Sequence, residues 1–147
     1  MKLVNLRESV NAHSGEFLCQ QMTQRDLTKI CPFSHRYESP KVYSHVPDIG
    51  KLKDFYETFG SLCLYYHQPS ECSALYIGSP DEWEELAESF VGWVENLDED
   101  EREELLPDWI DGCLVIGEIP RSGNYVLVPT QGEKAGYIFE FEHDGFE

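Results

Sequence analysis

Two groups of side chains in this chain have the types that metal or acid–base chemistry requires. Cys31-x3-His35 and Cys63-x3-His67-x4-Cys72 contain zinc-ligand types. Structural zinc sites are built from tight Cys-x2-4-Cys or His-x3-5-His pairs, and neither run has one, so buried thiols and surface histidines are expected. The second group is Glu140, Glu142, His143 and Asp144, with Glu118 on what reads as a neighbouring strand. Carboxylates beside a histidine run acid–base chemistry or hold a hard cation only where burial separates their pKa values. With twenty acids between Ser79 and Glu147, such clustering is expected by chance. No Gly-x-Ser-x-Gly, P-loop, His-Glu-x-x-His or Rossmann fingerprint is present. The expectation is a protein that is not an enzyme and uses no metal or cofactor. A third candidate, Ser122-Gly123-Asn124, has the composition of a turn, with Gly and Asn suited to positive φ.

The elements that must position these residues are legible to different degrees. Leu114 to Ile119 and Asn124 to Pro129 are apolar runs separated by the breaker cluster Pro120-Arg121-Ser122-Gly123, which predicts a hairpin. A third strand is expected over Tyr137 to Glu142, with Tyr137, Phe139 and Phe141 on one face and Ile138, Glu140 and Glu142 on the other. Ser79-Pro80-Asp81-Glu82 is a helix start: an N-cap, a proline at the first position and a glutamate three residues after the cap. Trp83, Leu86, Ala87, Phe90, Val94 and Leu97 follow at helical spacing, with Glu82, Glu84, Glu85 and Glu88 directed away. Trp83, Leu86, Phe90, Val94, Phe139 and Phe141 are therefore expected to share a core, and packing is the reading for both Trp83 and Trp93. Asp98 and Glu101 cap a shorter acidic helix that Pro107 stops.

Upstream, Leu52, Phe55, Tyr56 and Phe59 share one face of a short helix ended by Gly60. Leu62 to Tyr66 and Ala74 to Ile77 read as strands. Met1 to about Asp48 has weak periodicity, and the expectation there is a helix around Glu16 to Ile30 that Cys31-Pro32 would end. The whole reads as one α+β domain: a single, mainly antiparallel sheet with helices packed mostly on one face.

Composition narrows the partners. Apolar residues make up 41% and aromatics 13% of the 147 residues, too many for a disordered acidic chain. The net charge of −17 therefore sits on a folded surface. It is unevenly placed: Met1 to Gly78 holds eight basic and eight acidic residues, whereas Ser79 to Glu147 holds three and twenty. Such a field repels nucleic acid and anionic lipid and attracts basic protein surfaces. Five cysteines without paired spacing fit a reducing cytoplasm, and no run approaches the ~18 apolar residues of a membrane span.

The run IGEIPRSGNY (116–125), a Gly-rich turn and GYIFEFEHDG (136–145) together resemble the SUKH superfamily, with fainter support from LPDWI (106–110) and LKDFYETFG (52–60). That group includes fungal regulators of cell-wall synthesis and bacterial immunity proteins that neutralise polymorphic toxins. The resemblance covers roughly residues 51–147, with 1–48 outside it, and implies a binding module without catalytic apparatus. The reading that follows is an immunity protein in the cytoplasm that blocks a cognate toxin domain, the acidic half implying a basic partner. The residues expected to contact it are Glu118, Arg121, Asn124, Glu133, Glu142 and Asp144. The competing readings are an intracellular regulator or scaffold and, third, a carboxylate- or metal-dependent enzyme. SUKH-like chains commonly continue past the final strand into a C-terminal helix, whereas this chain stops at Glu147. The expectation is either a truncated gene product or an N-terminal region that takes that helix's place over the sheet, and an apolar face left exposed would favour oligomers.

Overall fold

The computed structural model describes residues 3–13, 15–22, 28–142 and 145–146. The elements in chain order are α1 (Leu3–Ala12), β1 (Phe17–Met22), β2 (Thr28–Glu38), α2 (Leu52–Thr58), β3 (Ser61–Tyr66), β4 (Leu75–Ile77), α3 (Trp83–Glu95), α4 (Glu99–Leu105), β5 (Leu114–Ile119), β6 (Asn124–Val128), β7 (Phe139–Glu142) and β8 (Gly145–Phe146). The strands follow one another in space as in sequence, and every neighbouring pair is antiparallel. β1 pairs with the first half of the long β2, through Phe33, while β3 pairs with its second half from Ser34 onward. The β1–β2 hairpin therefore extends beyond the seven-stranded body of the sheet.

The α+β class with one antiparallel sheet is what the chain adopts. The largest local departure is in the N-terminal region. The helix expected over Glu16 to Ile30 is not formed: Phe17–Met22 and Thr28–Glu38 are strands, and the helix lies earlier, at Leu3–Ala12. Pro32 sits inside β2 opposite Leu18, where that stretch is paired on one side only and a missing N–H is tolerated.

β6 explains the layering. Tyr125, Val126, Leu127 and Val128 are all buried, so both faces of the strand are covered. Tyr125 and Leu127 pack with Leu86, Phe90, Val115 and Phe141 under α3. Val126 and Val128 pack with Ile116, Leu62, Ile77 and the α2 side chains Leu52 and Tyr56. The expected gathering of helices on one face holds for α3 and for the chain after α4, through Leu106; α1 and α2 take the other face.

The expected core of Trp83, Leu86, Phe90, Val94, Phe139 and Phe141 is divided accordingly. Leu86, Phe90 and Phe141 form one cluster with Val94 against it, and Phe139 stacks on Trp109 at 4.6 Å. Trp83 belongs to the other cluster, where it meets Tyr56. The strand expected over Tyr137–Glu142 begins only at Phe139, because a Gly132–Gly136 turn, closed by Gly136 N–H to Pro129 C=O at 2.9 Å, leads into it.

Candidate functional site

The β5–β6 hairpin tip and the α3 flank beside it hold most of the expected contact residues. Ser122 Oγ donates to the Ile119 carbonyl at 2.6 Å and accepts from the Asn124 N–H at 3.0 Å, which fixes the turn. Positive φ falls on Arg121 and Gly123 rather than on Asn124. A side chain at Gly123 would meet the Trp93 ring at 2.6 Å, so the glycine lets the tip close onto α3. Trp93 also hydrogen-bonds the Tyr125 phenol, yet remains 42% exposed. Its expected packing role takes the form of a boundary contact: part of the ring meets a turn thirty residues away and the rest stays at the surface.

Glu118 faces this flank, and a bulge puts it there. The β5–β6 register shifts between Val115 and Gly117, so that Glu118 rather than Gly117 pairs with Tyr125. A one-residue shift reverses which face a side chain takes. Glu118 thus shares a face with Tyr125 and Tyr76, while Glu140, paired with Val126, lies on the opposite face. The expected carboxylate cluster of Glu118 with Glu140 is not assembled. Glu142 ends β7 next to Phe141, the partner of Tyr125, and so lies near the tip. Glu133 is in the turn at the far end of β6, away from the tip. His143 and Asp144 lie outside the described residues.

The pattern that directed Glu82 outward is also overruled. Tyr76 O–H, on β4, donates to the Glu82 carboxylate at 2.7 Å, and the same carboxylate accepts from the Ser79 N–H at 2.7 Å. Glu82 therefore closes the helix start while holding β4. Burial raises the Glu118 carboxyl above the usual carboxylate range, with repulsion from Glu85 and then Glu82 adding to it. A carboxyl raised above its unfolded value contributes stability below the unfolded pKa, and that contribution is lost as pH rises through the folded pKa. Glu118→Gln keeps the shape and removes the charge. It is expected to be more stable than the parent at about pH 7, with the gain gone by about pH 3, in paired urea titrations.

Among the described residues, the acids of α3 and α4 form no ion pair. Glu84, Glu85, Glu88 and Glu95 on α3 and all the acids of α4 are exposed, with Arg102 the cation on α4. The ion pair within the described residues, Lys51–Asp54 at 3.4 Å, is on α2.

Of the Cys/His candidates, the Cys31 side chain lies outside what is described, and the two histidines have other partners. His35 Nδ1 accepts from the Tyr65 N–H at 3.1 Å, and His67 Nδ1 lies 2.8 Å from Ser70 Oγ. Cys63 and Cys72 are free thiols, and burial pushes the Cys113 thiol up to about 11. Among the described residues, no group of three or more His, Cys, Asp or Glu side chains is placed to hold a metal ion. No described helix is long and apolar enough to cross a membrane.

On the opposite face, the described residues of α1 and α2 leave a hollow above sheet residues that are themselves largely buried. An apolar groove of about 790 Å³ opens there, floored by β3 to β6 and bordered by Leu6, Phe55 and the Gly136–Ile138 segment. The alternation in β3 and β4 could have shown it: Leu62, Leu64, Leu75 and Ile77 share one face, more apolar surface than a seven-residue helix spans. No family model matches this chain, and neither a curated protein nor a solved structure is similar to it.

Proposed function

We propose that the chain is a non-catalytic protein-binding module of the SUKH type, an immunity protein that holds a basic toxin domain against its hairpin tip and the flank of α3. The observation that carries this reading is the exposed acidic surface of α3, whose Trp93 meets the tip. An exposed aromatic side chain, Trp93, stands within it. Interfaces concentrate their energy in aromatic anchors, while the charge around them sets the approach rate. Glu118, Arg121, Asn124 and Glu142 form the rim on the hairpin side. The resemblance in 116–125 and 136–145 supplies the immunity role, and the charge supplies the sign of the partner.

The test is association with a basic toxin domain encoded beside this chain's gene. Stopped-flow association should be fast at low salt and slow steeply as the Debye length falls from about 10 Å at 0.1 M to about 3 Å at 1 M. Dissociation should change less. Reversing Glu118 and Glu142 to Lys should slow association more than reversing Glu99, Glu103 and Glu104 on α4. Rates flat in salt and equal for both sets would sink the steering idea. A neighbourhood with no toxin gene favours the regulator or scaffold reading instead.

A further inference from the structure

The junction between the β1–β2 hairpin and the body of the sheet runs through one histidine. β2 leaves β1 at Phe33 and takes up β3 from Ser34. Ser34 pairs with Tyr66 and Arg36 with Cys63, so His35 alone stands opposite both Leu64 and Tyr65. That is a bulge in β3, and Tyr65 takes the left-handed conformation within it, at φ 53°. A bulge leaves the backbone of its extra residue without a ladder partner. Here the displaced Tyr65 N–H donates to His35 Nδ1 at 3.1 Å.

That bond fixes a proton. An imidazole nitrogen that accepts is bare, so the proton of neutral His35 is on Nε2. The ring also ties neighbouring elements together: it lies 4.7 Å from the Tyr65 ring on β3, 4.9 Å from Phe17 at the start of β1 and 6.0 Å from His13 just after α1. His13 has the opposite arrangement, because its Nδ1 lies 3.0 Å from the Ser9 carbonyl, which can only accept. A second proton on His13 goes to Nε2 and leaves that bond intact. A second proton on His35 goes to Nδ1 and sets two donors face to face. The charged groups lining the hollow beside His35 are Glu16 and Arg36, of opposite sign, and Arg36 is engaged by Gln68 Oε1 at 2.8 Å and by the Tyr66 ring. His67 meets Phe33 at 5.6 Å and Ser70. Contact with aromatic rings favours a cation, yet burial and then repulsion from His13 hold His35 below the ordinary histidine range.

We propose that His35 is a proton-operated joint: charging its ring removes the acceptor of the Tyr65 N–H, opens the β3 bulge and frees the base of the β1–β2 hairpin from the body of the sheet. α1 stays in place, because Leu6 and Val10 pack with the α2 side chains and Asn11 accepts from the Tyr37 hydroxyl at 2.7 Å. The folded pKa of His35 lies below the unfolded value of about 6.5. Its contribution to holding the joint closed is therefore full above that value and is lost as pH falls through the folded one. The joint uses no residue of the acidic flank, so it stands or falls apart from the partner proposed there.

Imidazole nitrogen shifts of the full chain, followed by NMR from about pH 8 to about pH 5, test this. At the alkaline end His35 should carry its proton on Nε2, and its titration midpoint should lie below about 6.5. Through that midpoint the protection of the Tyr65 amide against hydrogen exchange should fall, by up to about tenfold for each unit of depression. Overhauser contacts between the Phe17 and Tyr65 rings, whose centroids are 6.0 Å apart, should fade with it. The amides of β6, a strand paired on both sides, should keep their protection. His35→Asn puts an uncharged acceptor where Nδ1 was and should protect the Tyr65 amide across the whole range. A neutral His35 with its proton on Nδ1, a midpoint at or above about 6.5, or Tyr65 protection indifferent to pH would each overturn the proposal. So would a pH dependence that survives His35→Asn. The ring readings come from the parent chain itself and hold whether or not the variant folds.

Discussion

Phe90→Ala is expected to destabilise the chain by about 3 to 5 kcal/mol, the range for removing a large aromatic from a packed core. Phe90 is buried on the inner side of α3 and meets Tyr125 and Phe141 edge-on, with ring centroids 5.5 and 5.2 Å away. Its loss removes area burial and two oriented aromatic pairs together. The midpoint of thermal unfolding should fall by roughly 6 to 20 °C for a chain of this size. Equilibrium urea unfolding is the measurement. A loss below about 1 kcal/mol would mean that α3 does not hold this face of the sheet. Val91→Ala, one residue along and half exposed, is the control and should change stability by no more than about 0.5 kcal/mol.

The contrast between those two positions was legible in the sequence, because α3 carries a local signal: a cap, a proline and a stripe at helical spacing. α4 is similar; the Asp98 carboxylate accepts from the Glu101 N–H at 2.8 Å and Glu101 returns the bond to Asp98 at 2.9 Å, as their spacing implied. What was not legible depends on distant partners. Phe17, Leu27 and Ile30 fit a helical face, and only pairing with β2, itself held by β3, makes Phe17–Met22 a strand. Glu82 is turned inward by a tyrosine on another strand. The position of Glu118 depends on a bulge, and nothing local announces one beyond Gly117 itself. The candidate surfaces follow the same division. The breaker cluster placed Arg121 and Asn124 at a hairpin tip, whereas the exposure of Trp93 and the apolar groove emerge only when the faces are assembled.

Tyr56→Phe is expected to have an effect of comparable size, although it removes a single oxygen. Tyr56 is 2% exposed, and its hydroxyl joins three elements. The hydroxyl donates to the Gly78 carbonyl at 2.7 Å, where β4 turns toward α3, and accepts from the Trp83 indole N–H at 3.0 Å. Phenylalanine would fill the same space and keep the edge-on contact with Trp83. It would also leave a carbonyl and an indole N–H buried without their partner. Each such group costs about 1 to 3 kcal/mol, so the expected loss is about 2 to 6 kcal/mol. Trp83→Phe added to it should cost less than the sum of the two single changes, because one bond is removed twice. Alkaline titration gives a second readout. Burial raises the Tyr56 hydroxyl far above its ordinary value. Its contribution to stability is therefore present below the unfolded pKa of about 10 and is lost as pH rises beyond it. The variant lacks that group and should lose less stability between about pH 9 and pH 11 than the parent does. A urea midpoint unchanged by Tyr56→Phe, with identical alkaline slopes, would show that the hydroxyl does not bridge α2, β4 and α3 in solution.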